Sequence, residues 1–229
     1  MNFKDKVYFI LVAPAVAGNI GAAARAIKTM GFKHLVLISP KADHLSNEAK
    51  MLAHGSHDIL ENVIIYNSLE QALANVDFSI GTTAKNRTSK QDYYTSNQIR
   101  SLLEEKASMT KRVALVFGRE ESGLTNQELQ ICDIASSIPL QTKFPSLNLG
   151  QAVMLYAYEL DKTDHEIASH KNDDNKVAVL KDKTKRLLQY LEIDANPTLY
   201  HRIFERLARL NADDTNLILS ILEKWQKKT

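Results

Sequence analysis

Short, wholly apolar runs that alternate with amphipathic stretches constrain this chain more than any other feature. The runs are Val7–Val12 (VYFILV), Leu35–Ile38 (LVLI), Val63–Tyr66, Phe78–Gly81, Val113–Phe117 (VALVF) and Ala135–Leu140. A strand with no polar alternation is buried on both faces, as in a parallel sheet covered by helices. Between the runs lie helix patterns. Ile20–Met30 carries Ile20, Ala24, Ile27 and Met30 on one side and stops at Gly31, a residue suited to the left-handed turn after a helix. Ser46–His54 ends at Gly55, and Asn97–Ser108 precedes VALVF. Ser68–Asn75 and Thr125–Ile131 open with Ser68/Gln71 and Thr125/Glu128, the spacing of a capping box. A last apolar helix begins at Leu149 and runs to about Leu160, and Thr82–Ser96 reads as a polar loop. Six strands alternating with helices predict an α/β fold with a six-stranded, mainly parallel sheet.

After Leu160 the pattern changes. Residues 162–176 are almost all polar and read as a linker, which divides the chain into a domain at 1–161 and a helical extension at 177–229. A length of 229 residues accommodates one large unit and one small one. The extension predicts three helices: one with Leu180, Leu187, Leu188 and Leu191; one opening at Asn196-Pro197; and one starting near Asp214-Thr215 and carrying Leu217, Ile221 and Trp225.

The net charge of +2 neither demands nor excludes nucleic acid, because a local basic face suffices. A single cysteine, Cys132, rules out an internal disulfide framework and points to a reducing compartment. With no targeting segment or membrane-spanning run in view, the expected location is the cytoplasm. His44, His54 and His57 lack the spacing of a metal site, and no metal is expected. No phosphate-binding GxxxxGK[ST] and no GxSxG nucleophile elbow is present.

Four loops at strand carboxyl ends remain, the place where open α/β sheets bind ligands. The first, Pro14–Arg25 (PAVAGNIGAAAR), lacks GxGxxG and has no acidic residue at the end of the second strand, so a dinucleotide site is weakly supported. Its Ala22–Ala24 run predicts close helix packing; Asn19 reads equally as a cap, and Arg25 as an exposed, idle cation. The second, Gly81–Arg87 (GTTAKNR), mixes threonines with cations ahead of Tyr93 and Tyr94, as nucleic-acid surfaces do, or is simply solvated. The third, Gly118–Asn126 (GREESGLTN), combines glycines with Arg119, Glu120 and Glu121. The fourth is Phe144–Val153 (FPSLNLGQAV), where Ser146 and Asn148 either cap the following helix or serve a ligand.

Taken together, NIGAAAR (Asn19–Arg25), FGREESGLTN (Phe117–Asn126) and SLNLGQAV (Ser146–Val153), with Gly81–Arg87, resemble the SPOUT class of RNA methyltransferases. Within it the likeness is to the TrmH-like ribose 2′-O-methylating branch and most to the TrmJ group, which acts on nucleotide 32 (cytidine or uridine) of the tRNA anticodon loop. The motifs fall in order over about residues 5–160. The resemblance implies a SPOUT α/β-knot, with a trefoil knot at the sheet's C-terminal edge, and S-adenosylmethionine as cofactor. It implies that Thr82, Thr83, Ala84, Gly118, Ile138, Pro145, Ser146 and Leu147 line the cofactor. Arg25, with Asn19, would face the ribose hydroxyl across a homodimer interface that builds each site from two chains. Glu120, Ser146 and Asn148 would support the site. Ala13, where relatives often carry Glu, and Lys85, where many carry Arg, depart from the pattern. The same chemistry on ribosomal RNA or another tRNA site, and a non-catalytic RNA-binding dimer, are the competing expectations.

Overall fold

A computed structural model describes residues 3–84, 93–141, 147–161 and 175–227. The apolar runs become strands: β1 (Val7–Val12), β2 (His34–Ile38), β3 (Ile64–Tyr66), β4 (Phe78–Thr82), β5 (Tyr93–Thr95), β6 (Val113–Phe117) and β7 (Ile134–Ser137). They form one sheet in the order β3-β2-β1-β6-β4-β7-β5, and every neighbouring pair is parallel. The sheet therefore has seven strands, not six. The added one, β5, is three residues of a stretch that reads as loop, paired only through Tyr93, Tyr94 and Thr95 to β7. A run that short carries no periodicity to recognise. Strand β7 also stops three residues before the expected Leu140; Pro139 has no N–H to continue a ladder, and Ile138 and Leu140 leave the sheet to face a cavity.

Period-two alternation sends the strand side chains to two cores. Val7, Phe9 and Leu11 of β1 join Leu35, Leu37, Phe78, Ile80, Leu115 and Phe117 on one face. This face is covered by α1 (Ala17–Thr29), α2 (Asn47–Ala53), α3 (His57–Glu61), α5 (Ser96–Lys106) and α7 (Leu149–Asp161). Ile10 and Val12 join Val36, Ile38, Ala114 and Val116 on the other, under α4 (Leu69–Leu73) and α6 (Asn126–Ile131). The short helix α3 lay unrecognised in the histidine-bearing stretch after Gly55. The small residues of α1 pack it from two sides. A Cβ on Gly21 would fall 2.1 Å from the Ala49 carbonyl oxygen of α2, and a Cβ on Gly150 of α7 would fall 2.7 Å from Ala22.

Thr125 and Glu128 form the expected capping box. Ser68 accepts from the Gln71 N–H, but Gln71 turns its side chain to the Asn67 N–H instead of closing the box. The extension folds as α8 (Lys176–Tyr190), α9 (Pro197–Leu207) and α10 (Ala212–Gln226). The last starts earlier than the Asp214-Thr215 expectation, because Asn211 supplies the cap by accepting from the Asp214 N–H at 2.8 Å. The extension docks at the amino ends of the strands. Lys181 donates to the Asp77 carbonyl and pairs with Asp133, both at 2.6 Å, while Lys106 reaches the Leu210 carbonyl at 3.0 Å. Whether the backbone threads a knot depends on segments 85–92 and 142–146, which lie outside the described residues.

Candidate active site

At the opposite, carboxyl end of the strands is a cavity of about 410 Å³, within the size range of small-molecule sites. Thr82, Thr83 and Ala84 leave β4 along one side, and the turn from Gly118 to Gly123 leaves β6 along another. Ile138, Leu140, Leu147, Leu149, Ala152 and Tyr156 complete it with apolar surface. Six of the eight expected cofactor-lining residues, Thr82, Thr83, Ala84, Gly118, Ile138 and Leu147, are thus brought together. Pro145 and Ser146 lie outside the described residues, as do Lys85 and Arg87.

The turn after β6 is shaped by its glycines. A Cβ on Gly118 would fall 2.0 Å from the backbone of Gly123 and Leu124, and Gly123 has φ +69°, a conformation that favours glycine. Arg119 and Gly123 exchange two backbone hydrogen bonds, at 3.2 and 2.9 Å. The Arg119 guanidinium meets Glu128 of α6 in a two-pronged pair, each prong 2.8 Å. That bond holds the Glu128 carboxyl below the usual range and raises the guanidinium further. The Arg119 charge is therefore committed to holding the turn.

Three of the motif loops are tied by one chain of hydrogen bonds. Glu120 accepts from the backbone N–H groups of Ala15 (3.1 Å) and Val16 (3.2 Å) and from Asn19 Nδ2 (3.1 Å). Burial pushes the Glu120 carboxyl up, but the donors from Asn19, Ala15 and Val16 outweigh it and the net shift is downward. The remaining Asn19 oxygen accepts from Asn148 Nδ2 at 2.6 Å, and Asn148 Oδ1 accepts from the Gly150 N–H at 2.9 Å. Asn148 is thus both a cap for α7 and a link to α1. An amide has one acceptor and one donor end, so Asn19 can bridge a carboxylate and another amide without leaving either end unpaired.

Arg25 stands apart. Six residues beyond Asn19, about 9 Å along the helix axis, it is exposed, does not line the cavity, and makes no hydrogen bond or ion pair among the described residues. Geometry in one chain leaves it idle.

Several contributors were not singled out from sequence. Phe117 ends the most apolar strand. Leu149, Ala152 and Tyr156 fall on one helical stripe at spacings of three and four, a legible signal once the cavity is known. Tyr156 donates to Ser136 Oγ at 2.9 Å on the cavity floor, and burial raises its phenol. Among the described residues no cluster of His, Cys, Asp and Glu could hold a metal.

Comparison with known proteins fits this arrangement. Residues 6–158 match the SpoU rRNA Methylase family, and residues 174–229 match the C-terminal domain of the tRNA/rRNA methyltransferase LasT. The chain is 41% identical to the uncharacterized tRNA/rRNA methyltransferase LasT of Escherichia coli, covering 97% of this chain and 98% of that one. It is 35% identical to the tRNA (cytidine/uridine-2′-O-)-methyltransferase TrmJ of Pectobacterium atrosepticum, covering 97% and 98%. The structure of a probable methylase family protein from Haemophilus influenzae superposes with a TM-score of 0.64 at 30% identity, covering 98% and 97%. A more distant fold relative, the SpoU methyltransferase AviRb of Streptomyces viridochromogenes, was solved in complex with AdoMet (TM-score 0.54, 20% identity, covering 69% and 60%). The chain belongs to the SpoU methylase family. It is an RNA methyltransferase. The cavity suits S-adenosylmethionine: its strand-end backbone and apolar side chains match a nucleoside, and Glu120 and Glu121 in its lining match a cationic sulfonium.

Proposed function

We propose that the protein methylates a ribose 2′-hydroxyl in tRNA, at nucleotide 32 (cytidine or uridine) of the anticodon loop. The observation that carries this reading is the Glu120–Asn19–Asn148 chain, which fixes three loops with the family's motifs around one cavity. The TrmJ relative's name supplies the 2′-oxygen and the tRNA; the LasT name keeps ribosomal RNA as the alternative substrate.

When bound, the cofactor supplies an electrophilic methyl group on a sulfonium. The work of this chain is then positional. Thr82, Thr83, Ala84, Gly118, Ile138, Pro145, Ser146 and Leu147 hold the cofactor; Glu120 sets the start of α1 through the Ala15 and Val16 N–H groups; Asn19 and Asn148 lock α1 to α7. Arg25 is not a proton acceptor, since a guanidinium stays protonated. It orients the substrate phosphate and stabilises the developing alkoxide, while Ser146 completes the substrate side.

An Arg25 that does not line its own cavity needs a second chain to do this. We take the working form to be a homodimer with shared sites. Val16, Leu45, Met51 and Leu52 around α1 and α2, and Leu155 and Tyr158 on α7, leave apolar surface exposed, as an interface requires. The functional units are a methyltransferase domain at 1–161, a linker at 162–176 and the extension at 177–229. Among the described residues no helix is long and apolar enough to cross a membrane, and we assign the protein to the cytoplasm, where tRNA is its partner.

The test is to incubate the protein with methyl-labelled S-adenosylmethionine and either tRNA or ribosomal RNA, and to map the product by mass spectrometry. Label on the ribose of nucleotide 32 is expected. Label on a base, or on ribosomal RNA alone, would overturn the assignment, and no cofactor binding with or without RNA would favour a binding module.

A further inference from the structure

The turn that walls the cavity is held from two sides by opposite charges. On one side Glu120 accepts from the first residues of α1; on the other Arg119 donates its two-pronged pair to Glu128 of α6. Nothing in the motif match assigns a role to Arg119 or Glu128. Arg119 is nevertheless a cation in the wall of a site whose cofactor carries a positive sulfonium. An unpaired guanidinium there would repel that cofactor; paired to a carboxylate, it would not. The side chains are 30% and 17% exposed, so the pair is partly shielded from water. Glu128 is fixed independently of Arg119, because it accepts from the Thr125 N–H at 2.7 Å as the closing member of the capping box. The carboxylate is thus pre-placed to pair the guanidinium.

We propose that the Arg119–Glu128 clasp is a specificity device of the cofactor site, which fixes the Gly118–Gly123 wall and neutralises the guanidinium so that the cationic sulfonium cofactor is accepted. Arg119 and Glu128 are positioning residues here, acting through the turn and through charge. The inference rests on the cavity being the S-adenosylmethionine site.

Calorimetric titration of the full chain with S-adenosylmethionine and with S-adenosylhomocysteine, its uncharged-sulfur counterpart, separates the two effects. In Glu128→Gln the cap acceptor is kept and the charge lost. A unit charge left uncompensated in a partly solvated wall is worth roughly a fivefold change in affinity. Glu128→Gln should therefore raise Kd for the sulfonium compound about fivefold more than for the thioether. Adding Arg119→Met to Glu128→Gln should restore the ratio of the two Kd values while leaving both weakened, because the wall has lost its fork. Equal loss for both ligands in Glu128→Gln, or a loss that merely follows a drop in Tm, overturns the charge role; unchanged Kd for both overturns the clasp altogether. A wild-type chain that binds neither ligand overturns the parent assignment instead, a distinct outcome.

Discussion

The two ends of the same sheet are finished in opposite ways. At the carboxyl ends, a mostly neutral chain of side chains (Glu120, Asn19, Asn148) holds three loops apart around a cavity. At the amino ends, Asp77 accepts from the N–H groups of Lys111 and Arg112, and Asp133 from Ser79. Lysines then close the remaining carbonyls: Lys6 bonds those of Ala107 and Thr110, Lys106 reaches out to the Leu210 carbonyl of the extension, and Lys181 of the extension reaches back to that of Asp77. Strands leaving the sheet diverge to both faces and open a crevice there. The difference teaches that the open end is built from short, rigid amides that set geometry, while the closed end uses long cationic stems that fill space and find carbonyls.

The largest effect should come from the open end. Arg25→Ala removes the cation argued to meet developing charge, and turnover should fall ~10²–10³-fold with Tm unchanged, since the exposed side chain makes no hydrogen bond or ion pair among the described residues. Arg25→Lys at near-normal turnover and unchanged tRNA affinity would remove that role. Asn19→Ala comes next. It leaves Asn148 Nδ2 without its Asn19 acceptor and takes one donor from Glu120, which keeps the Ala15 and Val16 N–H groups, and slack between α1 and α7 on the order of 1 Å is worth about 10²-fold in rate. The stability cost should be about 1–3 kcal/mol. Wild-type turnover in that variant, measured at saturating cofactor, would mean that the chain of bonds is architectural only.

How much of this could be read from sequence divides along the same line. The open end was legible because backbone constraints leave a mark: Gly118 sits 2.0 Å from facing backbone once a Cβ is added, and Asn19 and Asn148 stand beside glycines and caps. Strands β1, β2, β4 and β6 matched because both-face burial writes continuous apolar runs. Strand β5 did not, since its pairing depends on β7 and not on its own residues. The Glu128 pairing was half visible, as a capping box, but its second partner Arg119 lies nine positions away and is set by the turn. At the closed end little was legible. No motif marks Lys106 or Lys181, and only the docked extension shows that one is 2% exposed and that the other is bonded to Asp77 and Asp133.

The closed end can be broken by pH. Burial lowers the Lys106 ammonium from 10.5 to about 8, against the raising influence of Asp133 and Glu105. It sits 5.0 Å over the Phe78 ring. The folded pKa lies below the unfolded one, so between about pH 8 and 10.5 the unfolded chain binds more protons and stability rises with pH. Below that window both states are protonated and the full penalty persists. The shift corresponds to an order of ~3 kcal/mol. Lys106→Met should lack this rise, so its unfolding free energy relative to wild type should fall by a few kcal/mol between pH 8 and 10.5. A difference that stays flat with pH would show that Lys106 is solvated in the working protein.

The smallest effect sharpens which cations of the extension are structural. Lys181 is bonded at both its contacts, whereas Lys185 is exposed and makes no hydrogen bond or ion pair among the described residues. Lys183, Arg186 and Arg202 pair within the extension to Glu223, Asp182 and Glu205. The extension also lies at the end of the sheet away from its own cavity, so any RNA it touches is reached from a free surface cation. Lys181→Ala should lower stability by about 1–3 kcal/mol, because the more shielded Asp133 loses its cationic partner, and leave the salt dependence of tRNA binding as it was. Lys185→Ala should do the reverse: no change in Tm, and a slope of log affinity against log salt shallower by about 1 if that ammonium meets a phosphate. Titrations at several salt concentrations distinguish the two. An unchanged slope for Lys185→Ala would mean that α8 serves docking alone, and that the contrast between a substrate end and a structural end is complete.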